Sequence, residues 1–183
     1  DELGWYDGSL VEMGISDFGL FTGTIPGRLF GSDGRGWRGL GSGLSVFDWG
    51  SAFASWNELL VLGGSFPSVG GVSASNIAAW DGSVWSPLGT GTNGWVTALT
   101  VWNGDLIAGG SFTAAGEVTV NRVARWDGTS WSALGTGVIS TVYALVAYGD
   151  LLIAAGEFTQ AGGQSATRIA SWDGTAWRPL GAG

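Results

Sequence analysis

Short apolar runs alternate with Gly-rich polar turns along this chain, and their spacing predicts strands. In the last quarter, residues 141–148 (TVYALVAY) are β-branched and apolar, and Gly149-Asp150 follows as a turn. Residues 151–155 (LLIAA) form a second apolar run that stops at Gly156. A polar loop rich in Gly, Gln, Ser and Thr leads through Thr167 to residues 168–172 (RIASW), an Asp173-Gly174 turn, and residues 176–180 (AWRPL). Four such runs punctuated by turn residues read as an antiparallel meander. Asp-Gly between two runs predicts a tight hairpin, because both central residues of a type I′ turn need positive φ. No 3.6-residue period is sustained anywhere, so no helix is predicted.

This pattern fills the chain four times at a period of roughly 46 residues, the kind of repetition that marks propellers and stacked arrays. Trp80-Asp81-Gly82, Trp126-Asp127-Gly128 and Trp172-Asp173-Gly174 are its clearest copies, and Ser32-Asp33-Gly34 is a weaker fourth. Tyr6, Trp56, Trp102 and Tyr148 each precede by the same interval a glycine that ends the second run: Gly14, Gly64, Gly110 and Gly156. Trp37, Trp85, Trp131 and Trp177 follow the Asp-Gly turns, and Leu40, Leu88, Leu134 and Leu180 follow them in turn. Phe66, Phe112 and Phe158 make a further column, and the first copy has a longer loop after Gly14. The first two runs of each copy are apolar on both faces, as strands packed between neighbouring sheets must be. The outer runs carry more Ser, Thr, Arg and Asp, as edges near solvent do.

Four-stranded sheets repeated radially make a β-propeller. The expected fold is therefore all-β: one domain over residues 1–183, a propeller of four antiparallel four-stranded blades at about 1–43, 44–91, 92–137 and 138–183. The chain starts near a first strand and stops at the end of a fourth, so no exchange of strands between its ends is expected to lock a ring. Four blades close by packing alone, or they form an arc of a larger assembly; the arc is the favoured expectation. An arc exposes apolar faces on its edge blades, and such faces mark contact surfaces.

Composition narrows the function. Gly and Pro together make up about a fifth of the chain, below the roughly 25–30% typical of disordered sequences. The fixed places of the glycines mark turns and bulges. Fifteen acidic residues oppose seven arginines with no lysine, a net charge of −8. Such a chain is a poor candidate for nucleic acid, whose phosphates require clustered basic side chains, and no nucleic-acid partner is expected; anionic membrane surfaces are disfavoured for the same reason. No apolar run is long enough to span a bilayer. Cysteine is absent, which removes disulfides, thiolate catalysis and zinc–cysteine sites. The opening at Asp1 without methionine is expected of a processed form or of a piece of something longer.

The Gly63-Gly64 and Gly109-Gly110 pairs closing a strand, the Trp80-Asp81 and Trp126-Asp127 segments, and the spaced Trp85 and Trp131 resemble the kelch and galactose-oxidase-type propeller repeat. The form GGSF…WDG…W..LG is similar to repeats in large secreted bacterial propellers, and the resemblance runs over nearly the whole chain. It implies a propeller in an extracellular setting. Galactose oxidase carries copper on His ligands with a Tyr–Cys link; this chain has neither His nor Cys, so that activity does not transfer. The sialidase Asp box, Asp-x-Gly-x-Thr-Trp, is not matched by Asp127-Gly128-Thr129-Ser130-Trp131.

Most of the tryptophans read as packing residues between blades. Trp49 and Trp95 differ, because they fall in the connections between blades, where the fourth copy has Thr141. Those connections open on the same face as the loops at 65–75, 111–120 and 157–167. That face is expected to hold Trp49, Trp95, Asp48 and Asn93 as a ligand-binding set, with aromatic rings suited to stacking on sugars. No catalytic residue, metal ligand or cofactor is expected. Without His, Cys or Lys the usual nucleophile–base pairs cannot form, and a lone Asp per hairpin supplies too few oxygens for calcium. Paired carboxylates are the remaining catalytic option, with Glu117 and Glu157 as candidates for a glycosidase. The leading expectation is a secreted, non-catalytic module that recognises a protein or glycan. The alternative is a structural subunit that self-associates or docks within a larger protein through its edge blades.

Overall fold

The computed structural model describes residues 3–6, 9–13, 29–32, 37–40, 42–45 and 47–181. Among them the regular structure is all strand, without a helix. Four sheets of four antiparallel strands follow one another along the chain, each a simple meander in sequence order. The first contains Leu3–Tyr6, Ser9–Met13, Leu29–Ser32 and Trp37–Gly39. The second contains Trp49–Trp56, Leu59–Ser65, Ile77–Trp80 and Trp85–Pro87. Val96–Trp102, Asp105–Gly110, Val123–Trp126 and Trp131–Ala133 form the third. The fourth is Val142–Tyr148, Leu151–Gly156, Ile169–Trp172 and Trp177–Pro179, within a residue of the runs read from the sequence. The loop after Gly14 and the Asp33-Gly34 turn lie outside the described residues.

Each long polar loop holds something the apolar pattern does not reveal: a two-stranded hairpin, Ser68–Val69 with Val72–Ser73, Ala114–Ala115 with Val118–Thr119, and Gln160–Ala161 with Gln164–Ser165. The Asp-Gly turns also differ from expectation. Trp80 pairs with Trp85, so four residues, not two, lie in the loop. Gly82 has positive φ but Asp81 does not. The Asp81 carboxylate closes the loop instead, accepting hydrogen bonds from the backbone N–H groups of Ser83 and Val84 at 2.8 Å. Consecutive positive-φ residues, as a type I′ turn needs, occur instead between first and second strands at Asn57-Glu58 and Asn103-Gly104, and in two of the loop hairpins at Gly70-Gly71 and Gly162-Gly163.

The sheets stack through their faces, first strand beside first strand. One apolar cluster joins the second sheet (Trp56, Val61, Ile77) to the third (Val96, Leu106, Phe112, Trp126). An equivalent cluster joins Trp102, Ile107 and Val123 to Val142, Leu152, Phe158 and Trp172 of the fourth. Hydrogen bonds repeat across these joints. The indole N–H groups of Trp85, Trp131 and Trp177 donate to the carbonyls of Leu40, Leu88 and Leu134 of the preceding repeat. Those of Trp56 and Trp102 reach forward to Gly104 and Asp150. The tryptophan and leucine columns are thus two halves of one joint, which explains why they keep a constant spacing.

The Asp loops yield a pH prediction. Asp127 accepts bonds from the backbones of Ser130 and Thr129 and from the Thr129 hydroxyl, which hold its carboxyl well below the ordinary carboxylate range. Thr175 and Ala176, with Arg178, do the same for Asp173, and Val84 with Ser83 for Asp81. A depressed folded-state pKa contributes stability that is complete above the unfolded value near ~3.9 and is lost as pH falls toward the folded value. The melting temperature is therefore expected to drop between about pH 4 and pH 2. In a D81N/D127N/D173N variant the drop should be shallower, and equal slopes in the two proteins would contradict this account.

Candidate functional site

The site is set by a glycine. A Cβ on Gly64, Gly110 or Gly156 would overlap the carbonyl oxygen of Trp49, Trp95 or Thr141 respectively. That close approach goes with a register shift at the same place in each first strand, between Gly50 and Ala52, Val96 and Ala98, and Val142 and Ala144. Bulges of this kind re-aim side chains. Ser111 and Glu157 donate their backbone N–H to the Trp95 and Thr141 carbonyls at 2.9 Å, fixing the backbone.

Trp49 is the first residue of its strand and Trp95 stands just before its own, so both sit at the mouth of the connection between repeats. They are 53% and 56% exposed, whereas Trp85, Trp131 and Trp177 are buried. Two residues absent from the sequence-based set join them. Phe47, 88% exposed, lies two residues before Trp49, and exposed Ile139 lies two before Thr141. The position two before Trp95 is Asn93. Phe47 and Ile139 could have been found by noting apolar residues at a column otherwise reserved for turn chemistry.

Asp48 and Asn93 have structural duties. Asn93 Oδ1 accepts the backbone N–H groups of Thr113 and Ala114 at 2.8 and 2.9 Å, and its Nδ2 donates to Thr113 Oγ1. This staples the connection between repeats onto the loop hairpin of the third. Asp48 Oδ2 accepts the Ser45 N–H at 3.2 Å. Both nevertheless line one open pocket of about 320 Å³, with Phe47, Phe66, Asn76 and Thr92. Trp49 and Trp95 do not belong to that lining. The four predicted residues therefore fall into an aromatic pair at the strand starts and a polar pair in the adjoining pocket.

Glu117 is exposed between the strands of the third repeat's loop hairpin. Glu157 directly follows a second strand, and its carboxylate, beside the Tyr143 hydroxyl, pushes that phenol above its ordinary pKa. A larger open pocket of about 730 Å³ is lined by Thr136, Gln164, Trp172, Trp177 and Arg178. Its tryptophans are buried, and its arginine is paired with Asp173 at 3.0 Å. No group of three or more acidic side chains is placed to hold a metal ion among the described residues.

No family model matches this chain, and no curated protein does. Among solved structures, the computationally designed Ika8 protein is similar, with a TM-score of 0.54 at 15% identity. The match takes in 97% of this chain and 57% of the designed one, so this chain spans little more than half the length of its structural neighbour. At that identity the likeness concerns the fold alone.

Proposed function

We propose that this chain is a non-catalytic, kelch-like β-propeller arc, working outside the cell, that recognises a neutral glycan through the exposed aromatic rim of its loop face. The observation that carries the reading is the pair Trp49 and Trp95, half exposed at the same point of consecutive repeats while the joint-forming tryptophans are buried. Stacked four-stranded meanders joined through equivalent faces support the propeller. Rings set on a rigid bulge present a flat apolar surface at low entropic cost, and sugars offer apolar faces to such surfaces. Phe47 and Ile139 extend the surface. Asp48, in the adjoining pocket, supplies a polar partner for hydroxyl groups. A net charge of −8 disfavours acidic polysaccharides, which directs the search to neutral ones.

Affinity electrophoresis through gels containing neutral polysaccharides tests the reading. The parent is expected to be retarded in at least one gel. Trp49→Ala and Trp95→Ala should each weaken binding about fivefold, the effect of losing an aromatic contact of about 1 kcal/mol, with the melting temperature little changed. If retardation persists in the double variant, the rim is not the binding face. A rim that instead captures a protein would show as loss of that complex in the same variant.

A further inference from the structure

We propose that Asn103 is a site of spontaneous covalent modification, deamidating through a ring closed with Gly104, and that the product loosens the joint between the second and third sheets. In the first step the backbone nitrogen of Gly104 gives up its proton and attacks Cγ of Asn103. A C–N bond forms, the bond from Cγ to the side-chain nitrogen breaks, and ammonia leaves, so that a succinimide remains. Water then opens the ring at one of its two carbonyls and leaves aspartate or isoaspartate. Nothing is oxidised or reduced, and water is the only co-reactant.

The reaction needs an amide side chain that is free to swing, a following residue without a Cβ, and space around the new bond. The sequence has two Asn-Gly steps, Asn93-Gly94 and Asn103-Gly104, and the fold treats them differently. Among the described residues nothing hydrogen-bonds the exposed Asn103 side chain, and the Gly104 N–H has no backbone acceptor. A Cβ built on Gly104 would meet nothing within 4 Å. Asn93 has three side-chain hydrogen bonds, to Thr113 and Ala114, and a Cβ on Gly94 would stand 3.1 Å from Phe112 Cα. The Asp-Gly loops are closed to the same chemistry. Backbone N–H groups hold the carboxylates of Asp81, Asp127 and Asp173, which keeps them ionised, and an ionised carboxylate has no leaving group to lose.

The place of the turn gives the product its effect. Trp102 pairs with Asp105, so Asn103 and Gly104 alone make the loop. Isoaspartate routes the chain through Cγ and adds one backbone atom to that loop. The Gly104 carbonyl, which accepts the Trp56 indole N–H at 2.8 Å, is then displaced from the buried Trp56. The corresponding latch of the next joint runs from Trp102 to the Asp150 carbonyl, in a Gly149-Asp150 turn with no asparagine. That joint is spared.

The test is to hold the intact protein at mildly alkaline pH for days and follow each Asn-Gly peptide by mass spectrometry, with electron-transfer fragmentation to identify isoaspartate. Asn103 is expected to convert, mainly to isoaspartate. Asn93 should convert on the order of a hundredfold more slowly, since three hydrogen bonds must open before each attack. In urea the two steps should react alike, which assigns the contrast to the fold. Indole N–H exchange by NMR reads the consequence: Trp56 should exchange faster in the aged protein while Trp102 does not change. Freshly prepared Asn103→Asp, which gains the charge without the extra backbone atom, should keep Trp56 protected. Equal rates at Asn93 and Asn103 in the folded protein, or an Asn103 that stays intact while the urea control reacts, overturn the site. A Trp56 signal equally protected before and after conversion overturns the loosening of the joint.

Discussion

Gly110→Ala is expected to destabilise the protein by about 3 kcal/mol, at the upper end of the usual cost of overpacking. For a chain of this size that is a fall in melting temperature of roughly 6–12 °C. Gly110 has no positive φ to protect, so the loss comes from contact alone: the added methyl overlaps the Trp95 carbonyl. Relief would require the third sheet's first two strands to separate at the bulge, which would break the Ser111–Trp95 backbone hydrogen bond. Gly71→Ala is the control, since nothing lies within 4 Å of its Cβ position and only its φ of +82° resists the change. It should cost about 1 kcal/mol. Equal melting points for the two variants would mean that the bulge carbonyl does not stand against Gly110.

Trp131→Ala is expected to cost about 3–5 kcal/mol, the range for emptying a buried aromatic site. The side chain is buried, packs on Trp126 with ring centroids 5.2 Å apart, and donates to the Leu88 carbonyl at 2.9 Å. Trp131→Phe separates the two contributions. It keeps most of the volume but leaves the Leu88 carbonyl without its donor, which should cost about 1–3 kcal/mol. Trp95→Ala, by contrast, should change stability by about 0.5 kcal/mol or less, as exposed substitutions usually do. Urea denaturation of the three variants gives the comparison. If Trp95→Ala proves as damaging as Trp131→Ala, the rim tryptophan is a packing residue and its place in a binding face is lost.

The strands and their order were legible because each apolar run is bounded by Gly or Asp-Gly and recurs at a constant interval, so that columns correct the error of any single repeat. The Trp85, Trp131 and Trp177 column was legible as packing, but its partner was not: Leu88 and Leu134 act through backbone carbonyls, which leave no trace in side-chain identity. The loop hairpins were missed because strands of two residues have no period to read. The Asp-Gly loops were misjudged because Asp81, Asp127 and Asp173 can cap a four-residue loop with a side chain as readily as they can enter a two-residue turn. At the site, Trp49 and Trp95 stood out by departing from the packing columns. The stapling duty of Asn93 was hidden, because its partners Thr113 and Ala114 lie some twenty residues away.

The central claim is that two tryptophans are open to a ligand while the joint-forming ones are closed to it. NMR of the indole N–H groups, titrated with neutral oligosaccharides, tests this directly. The account predicts that the Trp49 and Trp95 signals exchange rapidly with water and shift on titration. The signals of Trp85, Trp131 and Trp177, donated to carbonyls inside the joints, should stay protected and unmoved. Still signals from Trp49 and Trp95 at millimolar oligosaccharide, or shifts confined to the joint tryptophans, would contradict it.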